Sequence, residues 1–243
     1  MTDDIRAVFW KEWREFGVFS GGRRELGLIL FIAVIGIYVP FEMGIQWVES
    51  PLLLMIWAWL PTLLAGPLAA DSFAGERERH TLETLLSSRL PDHAILFGKL
   101  AALATYALAI TWIVMLVGIV TVNVAHGHGA LILYAPLNFA GSIGVSILGA
   151  VMASGFGTLV SLRSATARQA QQLLGRLPIV LVLLAAIGAR VIPHAWQTRV
   201  SADIAAAGVA PLIATGLCVI GALAAIVVRL AVLKFRRAGA LLD

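Results

Sequence analysis

Residues 100–122, LAALATYALAITWIVMLVGIVTV, contain no charged side chain and no proline. At a rise of about 1.5 Å per residue, such a run wound as a helix crosses a hydrocarbon core of roughly 30 Å. A helix also satisfies its own backbone N–H and C=O groups, as lipid requires. The pattern recurs on both sides, at Leu26–Gln46, Leu52–Ala70, Ala130–Leu162, Leu177–Ile192 and Val209–Leu233. The sequence therefore predicts an all-α integral membrane protein with about six transmembrane helices. The run at Ala130–Leu162 is longer than one crossing needs. The run at Leu177–Ile192 is short and open to interruption near Gly188 and Pro193.

Composition agrees. The chain has 243 residues, of which 60% are hydrophobic and 13% charged, and its mean hydropathy is +0.91. Soluble domains have about 45–50% apolar and about 25% charged residues. The apolar runs use up nearly all of the chain, which is read as a single transmembrane domain over 1–243 with no room for a separate catalytic domain. The formal charge of +4 comes from basic residues dispersed between apolar runs, which suits loops facing an anionic leaflet and not a nucleic-acid surface. Cys218, the single cysteine, lies inside an apolar run and is read as a packing residue.

Lysine and arginine set the expected orientation, because cytoplasmic loops retain an excess of them. Of the 18 such residues, only Arg190 and Arg199 fall on the side opposite the termini. The others precede the first run, lie between the second and third or the fourth and fifth, or close the sixth. Both termini are thus expected in the cytoplasm, in a multi-pass cell-membrane protein. Residues 1–25 are not a cleavable signal, since Asp3, Asp4, Glu12 and Glu15 stand there. Ile5, Val8, Phe9, Trp13 and Phe16 recur at helical spacing, which predicts an interfacial amphipathic helix.

Catalytic motifs are missing. Gly98-Lys99 is the only Gly-Lys, but a phosphate-binding loop needs glycine at 93 and Ser or Thr at 100, where His93 and Leu100 stand. No H-E-x-x-H or G-x-S-x-G occurs. His126 and His128 flank Gly127, and two imidazoles alone make an incomplete metal site. No catalytic residue, cofactor-binding residue or metal ligand is assigned.

The segment at 71–99 is different in kind: DSFAGERERHTLETLLSSRLPDHAILFGK. Glu76–Arg79 make a charged turn, and Leu82, Leu85, Leu86 and Leu90 fall at i, i+3, i+4 and i+8, one apolar stripe on a short helix. Pro91 is expected to end it and Asp92 to cap the next helix. The leucines need cover, from the membrane surface, other parts of the chain or a partner.

Glu76-Arg-Glu-Arg-His-Thr-Leu-Glu-Thr-Leu-Leu86, followed by Pro91 and Gly98-Lys99, resembles the E-R-x-x-G-T-L-E-x-L-L signature of type-2 ABC transporter permeases. The leader Lys11-Glu-Trp-Arg-Glu15 resembles the family's N-terminal interfacial helix. His80 departs from the pattern, where glycine is common, and Pro91 comes slightly late. The resemblance implies an exporter's permease subunit that dimerises with a second copy or a homologous permease. It implies docking on two copies of an ABC ATPase, which would bind the ATP and Mg that this chain does not. The 76–90 helix would be the coupling helix, with Glu76, Arg77, Thr81, Leu82, Glu83, Leu85 and Leu86 as the ATPase-coupling residues. Membrane lipids are further partners, and substrate identity is not legible. The competing classes are a non-transporting scaffold or assembly factor that uses the same ATPase, and an integral membrane enzyme.

Other residues have plainer readings. Gly149, Ala153, Gly157 and Ser161 repeat every four residues and suit close helix packing. Glu42 and Glu49 suit the headgroup level, and Asn123 and Asn138 are expected to face water. Arg190 suits packing or snorkelling. Around Pro193, Trp196, Arg199 and Asp203 the resemblance implies short helices dipping back into the outer leaflet.

Overall fold

The computed structural model describes residues 2–16, 23–50, 53–191 and 208–235. All elements among them are helical. Helix α1 is Thr2–Glu15; α2, Arg23–Ile32, runs through a π-helical stretch, Ala33–Tyr38, into α3, Val39–Met43. A turn at Gly44, with φ of 55°, leads to the short α4, Gln46–Glu49. Helix α5, Leu53–Ala70, continues through a second π-helical stretch, Asp71–Gly75, into α6, Glu76–Glu78. Then come α7, Thr81–Leu86; α8, Asp92–His126; α9, Pro136–Arg163; α10, Ala167–Val191; and α11, Val209–Lys234.

Five helical stretches among the described residues are long and apolar enough to cross a membrane: Glu25–Met43, Leu53–Glu78, Asp92–His126, Pro136–Arg163 and Ala210–Lys234. The expected run at Leu177–Ile192 falls mostly on α10, and the stretch with Pro193, Trp196, Arg199 and Asp203 lies outside the described residues. Helix α9 is shorter than the run at Ala130–Leu162 suggested. Pro136, which lacks the N–H a helix interior needs, occupies its first turn. The preceding loop is held extended: Ile132 N–H donates to Asn123 Oδ1 at 2.7 Å, and Asn123 Nδ2 donates to Ile132 O at 2.7 Å. Asn138 likewise donates to Glu49 O at 3.1 Å, so both asparagines, each partly exposed, also bind backbone. Cys218 is exposed on α11 and does not pack in the core.

Helix α9 is central, packed against α5, α8, α10 and α11. The small-residue stripe makes this possible. A Cβ at Gly149 would stand 2.5 Å from Ala58 O on α5, and one at Gly157 would collide with the Ala69 methyl, so two backbones meet where side chains would separate them. Trp47, Trp57, Leu60, Val114 and Tyr134 fill the core towards the other end of α5 and α8. The apolar windows of the first and last of the five spans are only 11% buried, which leaves apolar surface for lipid or a second membrane chain.

The basic segments share one end of the bundle. Helix α1 packs on α8, Arg77 reaches the end of α9, and Phe235 at the end of α11 packs against Phe73 with ring centroids 5.3 Å apart and the rings tilted.

Candidate functional site

The segment between α5 and α8 begins as an irregular helix. A π-helical turn misaligns backbone groups that must find other partners. Ser161 on α9 supplies them: its Oγ accepts from Phe73 N at 3.2 Å and Ala74 N at 2.9 Å, and its hydroxyl donates to Ala70 O at 2.9 Å. Lys99 Nζ donates to Ser72 O at 2.9 Å. The turn also brings Asp71 against Gly75, where any Cβ would strike the carboxylate. Arg79 donates to Asp71 at 3.2 Å. That bond holds the guanidinium pKa above its ordinary value against a smaller opposing effect of burial, but both side chains are substantially exposed and the pair contributes little to stability.

The expected continuous helix over 76–90 is broken. His80 stands at φ 55°, ψ 20°, in the left-handed region, which interrupts the i to i−4 ladder between α6 and α7. After Leu86 the chain turns through Ser87–Leu90, with Ser88 Oγ donating to Leu85 O at 2.6 Å. The cap of α8 is Pro91, in extended conformation, where Asp92 was expected; Asp92 is the first helical residue.

The residues singled out from the signature go to different places. Glu76 is buried, at 4% exposure. Arg77 donates to Ser164 O at 3.0 Å and Leu162 O at 3.2 Å, putting a cation on the free carbonyls at the end of α9. Thr81 is exposed and its hydroxyl donates to Glu76 O at 3.2 Å, across the break. Leu82 is buried with Phe73, Ile95, Leu96, Leu100 and Phe235, and Leu85 and Leu90 pack against this cluster. The chain itself thus covers most of the leucine stripe. Glu83 and Thr84 are exposed. Leu86 ends α7, and its side chain lies outside the described residues.

Beneath the segment lies a charge cluster that motif reading missed. Lys99 is fully buried; its Nζ is 2.8 Å from Glu12 Oε1 and 3.0 Å from Glu76 Oε1. The ammonium donates hydrogen bonds to Glu12 Oε1 and Ser72 O, and Glu76 completes its surroundings as an ion pair. The same ammonium lies 5.1 Å from the Phe73 ring centroid, a cation–π distance. Lys11 Nζ contacts Glu12 at 3.2 Å, Glu15 at 3.2 Å and Glu76 at 2.9 Å. Burial acts to lower the Lys11 pKa, but the hydrogen bond to Glu76 and the charges of Glu12, Glu76 and Glu15 outweigh it and hold it well above the usual lysine range. Carboxylate oxygens of Glu12, Glu15 and Glu76 lie within 4.8 Å of one another, a spacing that would suit a metal ion, but the Lys11 ammonium already contacts all three. A small pocket of about 30 Å³ that Glu12, Glu15, Asp71 and Glu76 help to line has room to admit water.

One sequence signal pointed here. Glu12 falls within the apolar stripe of α1, four residues after Val8, where a carboxylate needs a buried cation. His126, by contrast, packs beside Phe41 with ring centroids 6.0 Å apart. The His126 and His128 pair belongs to no cluster of potential metal ligands among the described residues.

A family model described as ABC-2 family transporter protein matches residues 24–203 of the chain. Comparison with curated proteins finds no match.

Proposed function

The chain belongs to the ABC-2 family of transporter membrane proteins, and from that premise we propose that it is the permease subunit of an exporter whose ATP is hydrolysed by a separate ABC ATPase. In this reading ATP and Mg bind the partner, two ATPase copies serve a pair of permeases, and closure of the ATPases repacks the permease halves to move substrate outward. The end carrying α1, α6, α7 and the last turn of α11 faces the cytoplasm. Gathering of the basic segments at that end supports this orientation.

The observation that carries the reading is the mounting of α7. Leu82 roots it in the body, Arg77 and Glu76 clamp its approach, and Glu83 and Thr84 stay exposed. A short helix held this firmly with a free polar face is suited to transmit displacement from a docked partner. The leucine stripe anchors the coupling segment, and the exposed face makes the contact.

The test is purification with and without the cognate ATPase. Alone, the chain should hydrolyse no ATP; together, the two should form a stable complex that moves a tracer in vesicles when ATP is added. Thr84→Trp, which adds bulk on the free face without touching the core, should reduce complex yield or coupled turnover by roughly tenfold or more. Hydrolysis by the isolated chain, or an unaltered Thr84→Trp complex, would refute the reading. A stable complex that moves no tracer would favour the scaffold role.

A further inference from the structure

Three segments remote in sequence meet at Lys99: Glu12 from α1, Ser72 and Glu76 from the stretch after α5, and Lys99 itself near the start of α8. They meet where α1 lies close against α8, since a Cβ on the neighbouring Gly98 would lie 2.6 Å from Val8 Cβ. The apolar stripe of α1 could hold it on α8 in more than one register, because dispersion and burial are not directional. A buried ammonium is more exacting. Its desolvation is offset only when its donors all find acceptors, and a one-residue slide or a modest tilt of α1 would leave Lys99 and Glu12 buried and unpaired.

We propose that Lys99 is a positioning residue that locks α1 to the coupling segment, so that α1, α6 and the start of α8 move as one unit. This rests on reading 76–86 as the segment that meets the ATPase. Displacement at α7 then passes to α8 and α1 together and not along α5 alone. Lys11 reinforces the lock from the solvent side, bridging Glu12 and Glu76 while itself 43% exposed.

The experiment uses the full chain, co-purified with its ATPase, with Cys218→Ala and Val8→Cys introduced. Val8 is 2% exposed, so a thiol at that position reports separation of α1 from α8. Lys99→Met keeps length and removes charge, Lys99→Arg keeps charge, and Glu12→Gln is the milder variant should Lys99→Met fail to fold. Alkylation at position 8 should accelerate roughly tenfold or more in Lys99→Met and in Glu12→Gln, and stay slow in Lys99→Arg. The double variant Glu12→Gln with Lys99→Met should show much less than the product of the single effects, because the two groups act on each other. Tracer moved per ATP hydrolysed should fall in Lys99→Met while the ATPase stays bound, a split that loss of folding alone would not produce. Unchanged protection in a folded Lys99→Met chain, multiplicative single effects, or faster alkylation with unchanged transport per ATP would each overturn the proposal. If the unmodified chain binds no ATPase, the permease reading fails, and the alkylation series still decides whether Lys99 holds α1.

Discussion

His80 is exposed and holds φ at 55°, a conformation in which a Cβ crowds the backbone at a cost of roughly 1–2 kcal/mol. Glycine is free of that crowding, which gives a physical reason for glycine at this place in the signature that residues 76–86 resemble. Histidine tolerates the left-handed region better than most side chains. His80→Gly should therefore be neutral or stabilising by up to about 1 kcal/mol, the relief being partly cancelled by the greater freedom of glycine when unfolded. His80→Val, β-branched at the same φ, should destabilise by about 1 kcal/mol or more. Thermal melting of the detergent-solubilised chain measures both; a lower midpoint for His80→Gly than for His80→Val would show that the break between α6 and α7 is not held in this conformation. Arg77 illustrates how a single residue can be legible by type and not by role. The resemblance places it among the coupling residues, and its guanidinium closes the end of α9.

The docking of α1 on α8 depends on a glycine. Gly98 leaves room for Val8 and for the carbonyl of Ile5, which would stand 3.1 Å from an added Cβ. Gly98→Val should push α1 off by overpacking, at about 1–3 kcal/mol, and should expose the N-terminal helix to limited proteolysis while the spans remain protected. Unchanged resistance of α1 to the protease would mean that the helix is held elsewhere. The apolar stripe of α1 and the small-residue face of α9 were readable from periodicity, because those patterns repeat within one element, whereas the end of α7 at Leu86 comes before the stop expected at Pro91. The pairing of Glu12 with Lys99 and the hold of Ser161 on the π-helical stretch were not readable, because each joins residues far apart in the chain. Leu82, Leu85 and Leu90 lie between these cases. Their stripe was plain in the sequence, but what covers it, Phe73, Ile95, Leu96, Leu100 and Phe235 of the same chain, is a fact of tertiary structure.

Across the whole molecule, the proposed orientation rests on charge distribution, and packing is consistent with it. Loops rich in lysine and arginine resist translocation, and the structure brings those segments to one end of the bundle by contacts that owe nothing to that rule: Phe235 on Phe73, Arg77 on the end of α9 and α1 on α8. The opposite end carries α4, the loop after α8 and the start of α9, joined by Asn138 to Glu49 and by Asn123 to Ile132. If this end is extracellular, a cysteine there must react with an impermeant thiol reagent added to intact cells. Gly127 is a poor site for it, because a Cβ would collide with Asn123 O; Ala130 is exposed in the same loop. In a Cys218→Ala background, Ala130→Cys should be labelled in intact cells, and Ser87→Cys, exposed beyond α7, should be labelled only after the membrane is opened. Since the loop holding Ala130 and the turn holding Ser87 lie at opposite ends of α8, one span separates them and the two results must differ in sign. The reverse pattern would invert the molecule, place the free face of α7 outside the cell where no ATPase can reach it, and remove the coupling role with it.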